Sequence, residues 1–158
     1  MAVEDILFIA VIVFSLAITF LIFNNVMTTA TDQVLSVGAI NSSSSAVDAF
    51  SSVKTQVNNL DYVIFAFFIG LTLALIITGW LVGSHPVFMI IYFIVVTIAA
   101  ILSMVLSNAW DTVSSNSAFV ANIGYFPITS HILSSLPIYI SIIGFIGIIA
   151  MFARPREI

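Results

Sequence analysis

Ser130 and His131 are adjacent and Asp111 precedes them, so the three residue types of a hydrolytic triad lie on one stretch of chain. In such a set the imidazole takes the serine proton while the carboxylate orients the ring. The surroundings argue against that chemistry. No Gly-x-Ser-x-Gly elbow presents a nucleophile, and a chain this rich in serine puts a hydroxyl near any histidine. Loop polarity accounts for all three residues, and no catalytic role is expected.

His85, in the sequence Gly83-Ser84-His85-Pro86, offers a proton-sensing contact on paper, but it reads as a solvated turn residue. No metal site is expected. The chain has no cysteine to complete a tetrahedral set, and the two histidines fall on opposite sides of the expected bilayer. Phosphate-cradling glycine motifs are missing too, so no cofactor is expected. Only three basic residues stand against seven acids, without a basic cluster, which argues against nucleic-acid binding.

The elements that would have to position any site are apolar. Of 158 residues, 61% are hydrophobic and 6% charged, and the mean hydropathy is +1.26. No water-soluble core of this size hides so much apolar surface. The sequence predicts an all-α, polytopic membrane protein forming one membrane-embedded domain. About four transmembrane helices are expected near residues 6–23, 62–82, 87–106 and 132–153, with 24–61 and 107–131 outside the bilayer. Glu4 and Asp5 precede the first run where a signal peptide would carry Lys or Arg, so it reads as a retained helix. Pro86 suits the first turn of the third helix, which makes runs two and three a tight hairpin. Arg154 and Arg156 follow the last run and predict cytoplasmic N- and C-termini, with both long connecting segments on the other side.

Those connecting segments carry helical patterning. Val47, Phe50, Val53, Val57 and Leu60 recur at spacings of three and four, an amphipathic stripe suited to a partner contact. Ser45 and Asp48 resemble a capping box, so a single helix is expected from Ala46 through Val82. The first helix is expected to continue to Gly38, a residue suited to the left-handed conformation at a helix end. Helices one and two would then protrude from the bilayer as an antiparallel hairpin. Asn41-Ser42-Ser43 at its tip is formally a glycosylation acceptor, although a serine tract supplies such triplets by chance.

Helix association in lipid depends on small side chains. The second run presents Ala66, Gly70, Ala74 and Thr78 at every fourth position, with Gly79 and Gly83 on a neighbouring stripe. The third offers Ala99, Ser103 and Ser107, and the fourth Gly144 and Gly147 beside Ser141. The seams on runs two and three suggest a mutual contact. Ion or proton transport normally places ionisable groups at membrane depth, and the four runs hold none. Their polar residues Ser15, Thr19, Thr72, Thr78, Thr97, Ser103 and Ser141 can bond to their own helix carbonyls.

The expectation from these features is a non-enzymatic structural membrane protein that packs, as an oligomer or beside other subunits, into a larger membrane-associated assembly. The membrane of a lipid-containing virion is one such setting. The alternatives are a holin-like permeabilising oligomer and a small accessory subunit of a membrane complex or channel.

Overall fold

The computed structural model describes residues 2–82 and 86–152, with side chains placed for 5–77 and 90–150. The described residues are mostly helical, with no strand among them. In chain order they form α1 (Ala2–Leu35), α2 (Gly38–Asn41), α3 (Ser44–Asn58), α4 (Leu60–Val82), α5 (Pro86–Ser114), α6 (Val120–Ile123), α7 (Pro127–Ser134) and α8 (Leu136–Phe152). Gly83, His85, Arg154 and Arg156 lie outside the described residues, as do the side chains of Thr78 and Gly79.

No glycine or proline interrupts the α1 sequence, and its apolar residues run through most of its 34 positions. The helix ends two residues earlier than its pattern predicts. Ser36 donates from its hydroxyl to the Gln33 carbonyl at 2.6 Å, a local bond that competes with helix propagation. Gly38 is therefore not a left-handed cap but the first residue of the short α2. The expected capping box is also absent: α3 starts at Ser44 behind Ser43, whose side chain makes no capping bond. The single helix expected over 46–82 is interrupted only at Asn59, whose N–H closes a tight turn onto the Gln56 carbonyl at 3.1 Å.

Three stretches are long and apolar enough to cross a membrane: Asp5–Leu35, Ser44–Ile77 and Ile90–Ser114. A fourth, Pro127–Ser134 with Leu136–Ala150, qualifies only as a pair bent by 75°. The last run expected at 132–153 is thus two helices, with Ile132 and Leu133 in α7 rather than α8. Pro137 explains the break. It has no N–H to offer the carbonyl four residues back, so the α7 hydrogen-bond ladder cannot pass into α8. Alone, α8 spans roughly 25 Å at 1.5 Å per residue, a little less than the typical hydrocarbon thickness of about 30 Å.

Each long helix buries one narrow stripe. On α1 it is Ile6, Ala10, Val13, Ala17, Leu21, Asn24 and Thr31; on α5, Tyr92, Val96, Ala99, Ser103, Ser107 and Trp110; on α8, Leu136, Ile140, Ile143, Gly147 and Ala150. Spacings that alternate mostly between three and four give a seam like that of a coiled coil, leaving the other faces free. α1 and α8 each lie against both α4 and α5. Among the described residues α4 and α5 are not principal neighbours, so the expected contact between their small-residue stripes is not formed. The reason lies in α4, which turns Asp61, Ile64, Phe68 and Leu75 inward and leaves Ala66, Gly70 and Ala74 exposed.

Candidate functional site

Near one end of the bundle the helices are joined by a ring of polar contacts. Below the ring, large apolar side chains such as Phe8, Phe67, Leu73, Phe93, Ile101 and Phe145 are exposed. Residues 22–26, 57–62, 105–111 and 122–138 bring polar side chains together, with Ile22, Phe23, Val26, Tyr62 and Val105 among them still exposed.

Asn24 is 0% exposed. Its amide nitrogen donates to the Val57 carbonyl at 3.4 Å and to Asn58 Oδ1 at 3.1 Å, tying α1 to the end of α3. The neighbouring Asn25 accepts through Oδ1 from Asn122 Nδ2 at 2.7 Å, which ties α1 to α6. Asp61, only 2% exposed, accepts from the backbone N–H of Ile128 at 2.9 Å and of Thr129 at 2.8 Å. On α5, Ser107 donates to the Ser134 carbonyl at 2.7 Å, Trp110 Nε1 donates to Ser130 Oγ at 3.3 Å, and Asp111 accepts from Ser134 Oγ at 2.7 Å. Four long-range clasps therefore meet where the bundle ends. Polar bonds of this kind have strict geometry, so they fix register in a bundle whose apolar faces specify it weakly.

The collar is not fully satisfied. Among the described residues Asn24 Oδ1, Thr28 Oγ1 and Thr129 Oγ1 are buried without a hydrogen-bond partner. Each such atom costs about 1–3 kcal/mol.

Above the collar, Lys54 Nζ and Asp32 Oδ1 form an ion pair at 2.7 Å between α3 and α1. Both side chains are partly exposed, so the pair contributes about 0.2–1 kcal/mol. Lys54→Met should leave the unfolding midpoint in detergent nearly unchanged; a loss of the folded state would show that α1 and α3 depend on this bridge.

The residues singled out in the sequence are distributed as follows. Ala99, Ser103, Ser107, Gly144 and Gly147 are all buried; Gly144 and Gly147 lie against Val96 and Tyr92 of α5, and Ser107 bonds to α7. A Cβ added at Gly144 would overlap the Val96 side chain, and one at Gly147 would overlap the Tyr92 hydroxyl. Around Gly70 a Cβ meets nothing within 4 Å. On α3, Val57 is turned inward, Val53 is exposed and Val47 and Phe50 are half-buried, while Leu60, the first residue of α4, packs against the core. Ser130, His131 and Asp111 do come near one another, but not as a triad. Ser130 accepts from Trp110, Asp111 accepts from Ser134, and the His131 ring stands edge-on to Tyr139 with centroids 6.2 Å apart. Within the apolar helices Thr19, Thr97, Ser103 and Ser141 bond to carbonyls of their own helix, as expected, whereas the Thr72 hydroxyl is buried without a hydrogen-bond partner.

Asp61, Asn24 and Asn122 were not legible as contact residues. Each is a polar residue at the edge of an apolar run, and that position was the available signal.

The fold and the collar together define a class: an all-helical chain with three to four helices long and apolar enough to span a membrane. Compared with known proteins, the chain matches no family model, no curated protein and no solved structure.

Proposed function

We propose that the chain is a structural membrane protein without enzymatic activity, which inserts in a bilayer up to the polar collar and packs into a larger ordered assembly. The setting we favour is the membrane of a lipid-containing virion. The observation that carries insertion is the belt of exposed large apolar side chains on α1, α4, α5 and α8. In water such a surface would drive aggregation; in lipid it is the expected exterior. Asp32, Asp48, Lys54, Asp61 and Asp111 all lie at the collar or beyond it in the chain, where their charge costs least.

Residues 24–35 of α1 and all of α3 extend past the collar under this reading. Asn24 pairs with Val57 and Asn58, and Asp32 pairs with Lys54. That order supports an antiparallel hairpin, roughly 17 Å of α1 at 1.5 Å per residue. Arg154 and Arg156 favour the opposite, cytoplasmic or equivalent, side for both termini. The hairpin would offer its partner subunit a smaller apolar stripe than the sequence implies, centred on Val53 (39% exposed) with Phe50 and Val47 beside it.

Val53→Asp tests the assembly role. It should insert and fold normally but fail to co-purify with the assembled particle, and Phe50→Asp should behave alike. Undiminished incorporation of both variants would remove the hairpin as the docking element.

A further inference from the structure

We infer that α7 is a strap latched across the outer end of the helix bundle, that Asp61 is its principal latch, and that residues 135–137 are its hinge. The first turn of any helix leaves backbone donors without partners. In α7, Pro127 has no N–H, and the Ser130 N–H donates to the Phe126 carbonyl at 2.9 Å. The remaining two, on Ile128 and Thr129, both go to the carboxylate of Asp61, which reaches them from α4. Phe126, the residue in the capping position, has no side-chain oxygen, so Asp61 supplies the cap from another helix. A buried carboxylate at this end of a helix also meets the positive end of its dipole.

The other end of the strap is held from α5 by Ser107 on the Ser134 carbonyl and by Asp111 on the Ser134 hydroxyl. Among the described residues, α8 contributes the edge-on contact of Tyr139 with His131 and the N–H groups of Ile138 and Tyr139 on the Ser135 carbonyl, but no side-chain hydrogen bond. The 75° bend and the missing N–H of Pro137 uncouple α7 from the helix that follows it. Its position is therefore set by side chains of α4 and α5 and not by the continuity of its own backbone. The strap turns Thr129, Ile132 and Leu133 into the bundle and Pro127, His131 and Ser134 outward. Released at Asp61, it can swing about 135–137 and uncover an apolar underside while the four long helices stay packed. Asp61 acts here as a positioning residue.

The chain has no cysteine, so single-cysteine reporters are unambiguous. In nanodiscs, Ile132→Cys should react with a membrane-impermeant maleimide about tenfold or more faster when combined with Asp61→Ala. Asp61→Asn, which keeps one carbonyl acceptor, should fall between. Ala99→Cys, at the α5–α8 contact, should stay protected in all three backgrounds. Unchanged labelling of Ile132→Cys would overturn the latch, and so would simultaneous opening at Ala99→Cys, which would make Asp61 a support of the whole bundle. Should Asp61→Ala fail to fold, hydrogen exchange on the unaltered protein decides. Amides of 128–134 exchanging together and ahead of 96–103 support the strap; exchange of both stretches at one rate refutes it.

Discussion

Gly144→Val is expected to destabilise the bundle by about 3 kcal/mol, enough to remove most of the folded protein from detergent extracts. The helices α5 and α8 meet across Gly144 on one side and Val96 on the other, and the missing Cβ is the space that Val96 occupies. Even Gly144→Ala places a methyl inside the Val96 side chain and should cost about 1–3 kcal/mol. Because Val96 is β-branched and held to one rotamer in a helix, it cannot swing away. The double variant Gly144→Ala with Val96→Ala should recover much of the loss, a coupling of about 0.5–3 kcal/mol between sites in contact. Gly70→Ala supplies the contrast. Its Cβ would meet nothing within 4 Å, so within one subunit it should be neutral or stabilise the helix by about 0.5–1 kcal/mol. The check is the midpoint of SDS-induced unfolding for each variant in mixed micelles. Equal midpoints for Gly144→Val and Gly70→Ala would show that α8 does not approach α5 this closely.

That contrast also marks how much was readable beforehand. The apolar runs marked the three long helices and, as a bent pair, the fourth stretch, because a 3.6-residue ladder that satisfies every backbone group is the main option for such segments in lipid. Which face of each helix is buried was harder, since these helices are apolar all round and periodicity has nothing to contrast. Small residues were the remaining guide. They mark the buried faces of α5 and α8 through Ala99, Ser103, Gly144 and Gly147. On α4 the same reasoning picks Ala66, Gly70 and Ala74, which the single subunit leaves exposed. There the inward face is built from Ile64, Phe68 and Leu75, while the neighbouring α1 buries small residues of its own in Ala10 and Ala17. Close approach needs a small residue on one side only, and a sequence read one helix at a time cannot say which side.

The collar was the least legible part, for a related reason. Its bonds join residues far apart in the chain, Asn25 to Asn122 or Asp61 to Ile128 and Thr129, and no local pattern announces such pairings. On α3 the stripe from Val47 to Leu60 was visible as one face, yet the structure divides it between two uses. Val57 near the end of α3 and Leu60 at the start of α4 turn toward the core, while Val53 is exposed and Phe50 half-buried. A single amphipathic period thus serves internal packing at its base and leaves its upper part open.

Trp110→Ala is expected to cost about 3–5 kcal/mol, the range found when a fully buried large aromatic side chain is truncated. Trp110 is 0% exposed and sits on α5 between Ser107 and Asp111, the two residues that hold Ser134. Its ring fills the space between α5 and α7, and its Nε1 donates to Ser130. Losing the ring would leave a cavity directly beneath both contacts and loosen them together. Trp110→Phe separates volume from polarity: it keeps most of the aromatic bulk and removes one donor, a change of about 1 kcal/mol. The bond is long at 3.3 Å and adds little, so the phenylalanine variant should unfold close to the unaltered protein and the alanine variant far below it. If the two variants lose stability equally, the hydrogen bond to Ser130 rather than the packed ring anchors the collar on α5, and the account of α7 as held chiefly by buried side chains would have to give way to one based on that single donor.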